Sequence, residues 1–216
     1  RPDGRVGVRN YLAIIPSVFC ANTVAEKVAA QVPGAVAMPH VVGCAQVGMD
    51  LELTARTLTA MACHPNVGAA VVISLGCERF DPQEMVEAAK TAGKPLALFI
   101  IQEEGGTTNT IAKAAAKARE FQARLDRMER VPCPVSALFV GTKCGGTDAT
   151  SGLAANPAVG SMVDRLVAQG GSAILSELNE LLGTEDILAR RAVSPEVARK
   201  IYDAIYGIED VLRSGI

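Results

Sequence analysis

Eight consecutive residues, GAAVVISL at 68–75, carry no charge and show no alternation of polar with apolar positions. A strand with one wet face alternates with a period of two, whereas a strand buried on both faces reads as an unbroken aliphatic run. Such a strand needs a cover on each side, and the chain supplies one. Runs at 11–17, 35–38, 96–101, 135–140 and 173–175 read as further strands. Between them, 22–32, 50–63, 81–92, 108–128 and 159–168 repeat small apolar residues at helical spacing. Strand and helix alternate over short links, which predicts an α/β fold: a three-layer, doubly wound, mainly parallel sheet of about six strands with helices on both faces. Aromatic residues make up only 4 % of the chain and Trp is absent, so the core has to be built from Val, Ile, Leu and Ala. Residues 1–216 are read as one Rossmann-like domain whose part from 173 to 216 is helical, with 184–213 split into two helices near Ser194-Pro195.

Local signals set the expected ends of these elements. Asp50 is expected to cap the helix at 50–63, one of Thr107, Thr108 and Asn109 the long helix that follows Gly105-Gly106, and Ser194 the last helix. Pro82 suits a first helical position. His64, before Pro65-Asn66, is expected in a turn or cap.

Several classes of function are excluded or made remote. The formal net charge is −2 and no Lys/Arg block stands out, so nucleic acid is not an expected partner. No apolar run approaches bilayer length, so no membrane is expected either. No G-x-G-x-x-G follows the first strand, and neither a P-loop nor a G-x-S-x-G elbow is present. The chain starts at Arg1 without signal-like residues and is expected to be a piece of a longer protein. Six widely spread cysteines, in a chain able to build its own core, point to reduced thiols and a cytoplasmic setting.

In parallel sheets, ligands bind outside the carboxyl ends of the strands. The reading places Cys20, His40, Cys44, Cys77, Glu78, Gln102, Glu103, Lys143, Cys144, Asp148 and Glu177 there, in one shared pocket. The segment 141–160, GTKCGGTDATSGLAANPAVG, combines a thiol, a cation, a carboxylate, hydroxyls and five glycines between a strand and a helix, a composition suited to wrapping a small ligand. Arg5, Arg9 and Asn10 stand just before the first strand, either as a plain polar leader or as a grip on a carboxylate. His40 and Cys44, four apart, could share a metal or a substrate, and equally could be structural. Cys44, Cys77 and Cys144 together suggest a soft-metal site for iron, as a single ion or a cluster.

DGRVGVRNY at 3–11, HVVGC at 40–44, HPNVGAAVVISLGCE at 64–78, KCGGTDATSGLAANPAVG at 143–160 and SELNELLG at 176–183 are each distinctive. Together, in order and along nearly the whole chain, they resemble the altronate and galactarate dehydratases and the related sulfolactate sulfo-lyase large subunit. The resemblance implies β-elimination from a hydroxy acid to give a 2-keto acid, with Fe2+ as cofactor, replaceable by Mn2+, in preference to an iron–sulfur cluster. It makes the chain a middle domain, with N- and C-terminal domains of the same enzyme as partners, and leaves a homodimer open. Position and resemblance together give His40 the role of general acid/base with Glu78 as rival and Lys143 beside them. Arg5, Arg9, Asn10, Gly145, Gly146, Thr147, Asp148 and Asn156 become the substrate contacts, and Cys44, Cys77 and Cys144 the metal ligands. Where the family loop reads CGGSD followed by Gly and an aromatic, this chain has Thr147 and then Ala149-Thr150, which leaves the substrate open. Three other readings stand beside dehydration: a sulfo-lyase acting on sulfolactate, a non-catalytic α/β binding or assembly module, and a thiol redox protein.

Overall fold

The computed structural model describes residues 1–215. It divides into two compact units, Arg1–Pro132 and Cys133–Ile216, where the sequence reading took 1–216 as one domain. The six strands divide with them. All pair in parallel, but as a four-stranded sheet in the first unit and a separate two-stranded pair in the second.

In the first unit, β1 (Tyr11–Pro16) lies between β2 (Ala35–Ala37) and β3 (Val67–Ser74), and β4 (Leu96–Ile100) flanks β3. The register runs Ala13 opposite Ala70 and Ile14 opposite Val71. Alternate residues of the two central strands feed two separate cores. Leu12, Ile14, Val71 and Ile73 pack with residues of α1 (Asn22–Ala29) and α4 (Thr107–Leu125), among them Val24, Val28, Ala118 and Phe121. Ala13, Ile15, Ala70 and Val72 pack with Leu58 and Ala62 of α2 (Gly48–Ala62) and Met85 of α3 (Gln83–Thr91). This three-layer arrangement explains the unbroken apolar run: every residue of β3 is buried. Each fully buried Val, Ile or Leu contributes about 1.5–3 kcal/mol over the exposed state.

The second unit holds β5 (Phe139–Thr142), α5 (Asn156–Ala168), β6 (Ser172–Leu175), α6 (Glu185–Ala189) and α7 (Pro195–Ser214). The expected buried strand at 135–140 is not what forms. Val135–Ala137 make a short 3-10 turn, the strand begins at Phe139, and Phe139 is 66 % exposed. A two-stranded sheet covers too little of itself to bury every apolar side chain.

Helix ends differ from expectation in three places. At α3, Pro82 takes the cap position and Gln83 is the first helical residue. α2 starts at Gly48 with Val47 in the cap position, so Asp50 lies inside the first turn, where its charge still favours the helix dipole. α4 is capped by Gly106 at φ 99°, a conformation that suits glycine better than the three polar candidates. Ser194 does cap α7, accepting from Val197 N at 3.3 Å. His64 Nδ1 accepts from Asn66 N at 3.1 Å, closing the turn.

Candidate functional site

The carboxyl end of the first sheet is assembled by backbone contacts between its loops. Gly43 takes φ 97°, and a Cβ there would stand 3.0 Å from Ser17 O and 3.1 Å from Val18 Cα, so the 39–47 loop lies flat on the end of β1. Phe19 N donates to Val42 O at 3.0 Å across the same junction. His40 is brought to this rim. Its ring Nε2 lies 2.8 Å from Pro16 O, and its Nδ1 accepts from Val42 N at 3.3 Å. The carbonyl fixes the Nε2–H tautomer and leaves Nδ1 as the basic nitrogen. Asn22 holds the His40 backbone, donating to its carbonyl at 2.7 Å.

Glu78 is occupied. It accepts from the Ser17 hydroxyl, from Leu75 N at 2.7 Å and from Gly76 N at 2.8 Å. Burial would raise its pKa, but the hydrogen bonds from Ser17 and the backbone amides outweigh it and hold the carboxyl below its ordinary value. A carboxylate with three donors and a depressed pKa is a better lock for the β3 loop than a proton acceptor. Cys44 and Cys77 are exposed thiols at the same rim.

Arg5, Arg9 and Asn10 lie at the opposite, amino end of the sheet. Arg5 pairs with Asp3 at 2.6 Å and donates to Cys63 O at 2.9 Å. Arg9 donates to Val8 O at 3.0 Å, and Asn10 binds Arg1 at 2.7 Å and Leu125 O at 3.2 Å. Lys94, 6 % exposed, joins them by donating to His64 O and to Val67 O at 2.9 Å. Burial, reinforced by Arg1 and Arg5, lowers its pKa to about 8.

In the second unit, Cys144 meets two carboxylates. Its Sγ and carboxylate oxygens of Glu177 and Glu180 all lie within 4.8 Å of one another. Cys144 N donates to Glu177 Oε2 at 3.1 Å, and Lys143 Nζ pairs with Glu177 Oε1 at 3.0 Å. That hydrogen bond holds the Glu177 carboxyl below, and the Lys143 ammonium above, the ordinary value. Glu177 has φ 65°, rare for a residue other than glycine, and this turn aims its carboxylate back at the β5 loop. One thiolate with two carboxylates is a donor set that fits a borderline divalent ion such as Fe2+, and the oxygens suit Mn2+. Among the described residues this is the one group of three such side chains that meets the distance; Cys44 and Cys77 belong to none. In the sequence, Glu177 and Glu180 stand as acids at a strand end, Glu177 on the rim, and neither is among the expected metal ligands.

The rest of the 141–160 segment is locally satisfied or open. Asp148 accepts from Thr150 N at 2.7 Å, Thr150 Oγ1 at 2.6 Å and Ser151 N at 3.1 Å, closing its own turn. Those bonds, the Thr150 hydroxyl first, lower its pKa. Gly145 and Gly146 have open space where a Cβ would stand, and Thr147 and Asn156 are exposed at the loop and at the start of α5.

Comparison with known proteins adds the family. Residues 1–126 match the profile described as D-galactarate dehydratase/altronate hydrolase, second domain, and residues 135–215 match D-galactarate/altronate dehydratase, C-terminal. The (2R)-sulfolactate sulfo-lyase subunit beta of Chromohalobacter salexigens is 42 % identical over 206 residues, 95 % of this chain and 52 % of that protein. Altronate dehydratase of Bacillus subtilis is 37 % identical, covering 95 % of this chain and 43 % of its own length. Galactarate dehydratase (L-threo-forming) of Escherichia coli is 31 % identical over 99 % of this chain and 45 % of its own. The chain thus spans about half the length of the curated relatives it matches, and the boundary between the two profiles falls where the fold divides. Nearly end to end, the chain belongs to the galactarate/altronate dehydratase family of lyases.

Proposed function

We propose that this chain serves β-elimination of water from a sugar acid such as altronate or galactarate, giving a 2-keto-3-deoxy acid, as part of a longer cytoplasmic enzyme. The observation that carries the reading is the meeting of Cys144, Glu177 and Glu180 within 4.8 Å beside Lys143. These three side chains would hold Fe2+ or Mn2+. A bound ion of this kind supplies Lewis acidity toward the carboxylate and hydroxyls of a hydroxy acid.

The reaction requires a base for the proton α to the carboxylate. The β-hydroxyl leaves with a proton as water, and the enol that remains becomes the 2-keto acid. His40, held at the carboxyl end of the first sheet by Pro16 O and Val42 N, is the candidate for such a transfer. Lys143 keeps Glu177 ionised and oriented. A sulfo-lyase acting on sulfolactate is the second reading, favoured by the 42 % identity to the sulfo-lyase subunit.

The test is anaerobic metal analysis joined to turnover. The chain reconstituted with Fe2+ should retain the ion through desalting, and Glu177→Gln and Cys144→Ser should lose it while staying folded. Turnover of altronate, galactarate and sulfolactate by the whole enzyme then separates the two readings. Full metal retention in both variants would refute the ligand assignment, and no turnover of any of the three acids would refute the lyase reading.

A further inference from the structure

At the carboxyl ends of β3 and β4 the first unit carries a cleft of about 370 Å3 that none of these roles uses. Ser74, the last residue of β3, lines it. Ser74 is 1 % exposed, and its hydroxyl has no hydrogen-bond partner among the described residues. A hydroxyl withdrawn from water and left unpaired destabilises the fold unless a ligand completes it. Arg79 and Glu103 line the same cleft, and neither side chain forms an ion pair among the described residues. The other two carboxylates of the wall are engaged: Glu78 by Ser17 and two amides, Asp81 by Gln83 N at 2.9 Å. Leu98 and Ile100 supply an apolar floor.

The chemistry of these three groups specifies an occupant. A guanidinium without a partner takes a carboxylate, with two parallel N–H donors. A free carboxylate in the same wall rejects a bare anion but accepts from hydroxyls. The Ser74 hydroxyl can donate to either kind of oxygen. We infer that the Ser74–Arg79–Glu103 cleft binds the carboxylate end of a polyhydroxy acid, with Arg79 on the carboxylate and Glu103 on the adjoining hydroxyls. This assignment rests on the hydroxy-acid reading above and adds the residues that would anchor the substrate. It replaces Arg5 and Arg9, which face the other end of the sheet, with an arginine at the ligand end. The walls are already positioned. Gly76 at φ 107° lets the β3 loop lie against Gln102, whose Oε1 would stand 2.8 Å from any Cβ there.

Calorimetric titration of the 216-residue chain with galactarate, with adipate (the same dicarboxylate without hydroxyls) and with inorganic sulfate tests this. Galactarate should bind the wild type better than adipate, and sulfate least. Arg79→Ala should weaken both organic acids by about tenfold or more. Glu103→Gln should weaken galactarate and leave adipate unchanged. Ser74→Ala should weaken galactarate while unfolding at the same or a higher denaturant concentration, because an unpaired hydroxyl has been removed. Galactarate binding that survives Arg79→Ala unchanged overturns the cleft and leaves the lyase reading standing. Binding of sulfate alone, or of no acid at all, overturns the hydroxy-acid assignment together with the reading it rests on.

Discussion

Glu78 separates two roles that a sequence cannot distinguish, so its removal is informative. In Glu78→Ala, the Ser17 hydroxyl still has Ile73 O within 3.3 Å, and the exposed Gly76 amide can turn to water. Leu75 N is half-buried and loses its only side-chain acceptor. An orphaned, partly buried amide costs about 1–3 kcal/mol, and a lost charge-assisted bond adds to it, giving about 2–4 kcal/mol for Glu78→Ala. In Glu78→Gln the amide oxygen keeps part of the network but its NH2 faces a donor, and about 1–2 kcal/mol is expected. The pH dependence has a definite sign. The folded-state pKa of Glu78 is depressed, so its stabilisation is present above the unfolded value of about 4.3 and is lost as pH falls through the lower folded value. Chemical denaturation from pH 7 down to the acid limit should therefore show wild type and Glu78→Gln converging. Unchanged stability in Glu78→Gln, joined to loss of turnover in the whole enzyme, would refute the lock and restore Glu78 as a proton-transfer group.

Two further outcomes follow from the packing. Ile14 is fully buried between β1's neighbours and the α1–α4 layer, so Ile14→Ala should cost about 2–5 kcal/mol, read as a shift in denaturation midpoint with unchanged slope. Gly43→Ala adds a Cβ 3.0 Å from Ser17 O at φ 97°, and should destabilise by about 1–3 kcal/mol while loosening the His40 loop, visible as faster amide exchange across 39–47.

The layered part of the fold was legible because its signal is redundant. β3 is buried on both faces, and an unbroken aliphatic run of eight residues has few other uses. The second unit was less legible for the same reason inverted. Phe139, Ile174 and Leu175 look like core residues, and the sequence says nothing of how few strands they have to share. The metal group shows a limit of residue type. Cys144 stood out as a thiol, whereas Glu177 and Glu180 are ordinary acids until the turn at Glu177 folds them back toward it. Ser74 carried no signal, since a serine at the end of an apolar strand reads as a strand end, and only the count of hydrogen bonds exposes it.

The placement of Arg5 and Arg9, by contrast, was decidable in advance. In an all-parallel sheet, residues that precede a strand must lie at its amino edge, and ligands are met at the carboxyl edge. The two ends of this sheet are built for different tasks. At the amino end, Arg1, Arg5 and Lys94 spend their donors on backbone carbonyls of residues 5–9 and 63–67, cationic groups that close loops on themselves. At the carboxyl end, the backbone is fixed by Glu78, Gly43 and Gly76, which leaves Ser74, Arg79 and Glu103 without side-chain partners among the described residues. A rim made rigid by some of its polar groups can hold others ready, and it is at that rim that a small acid would find unspent donors and acceptors.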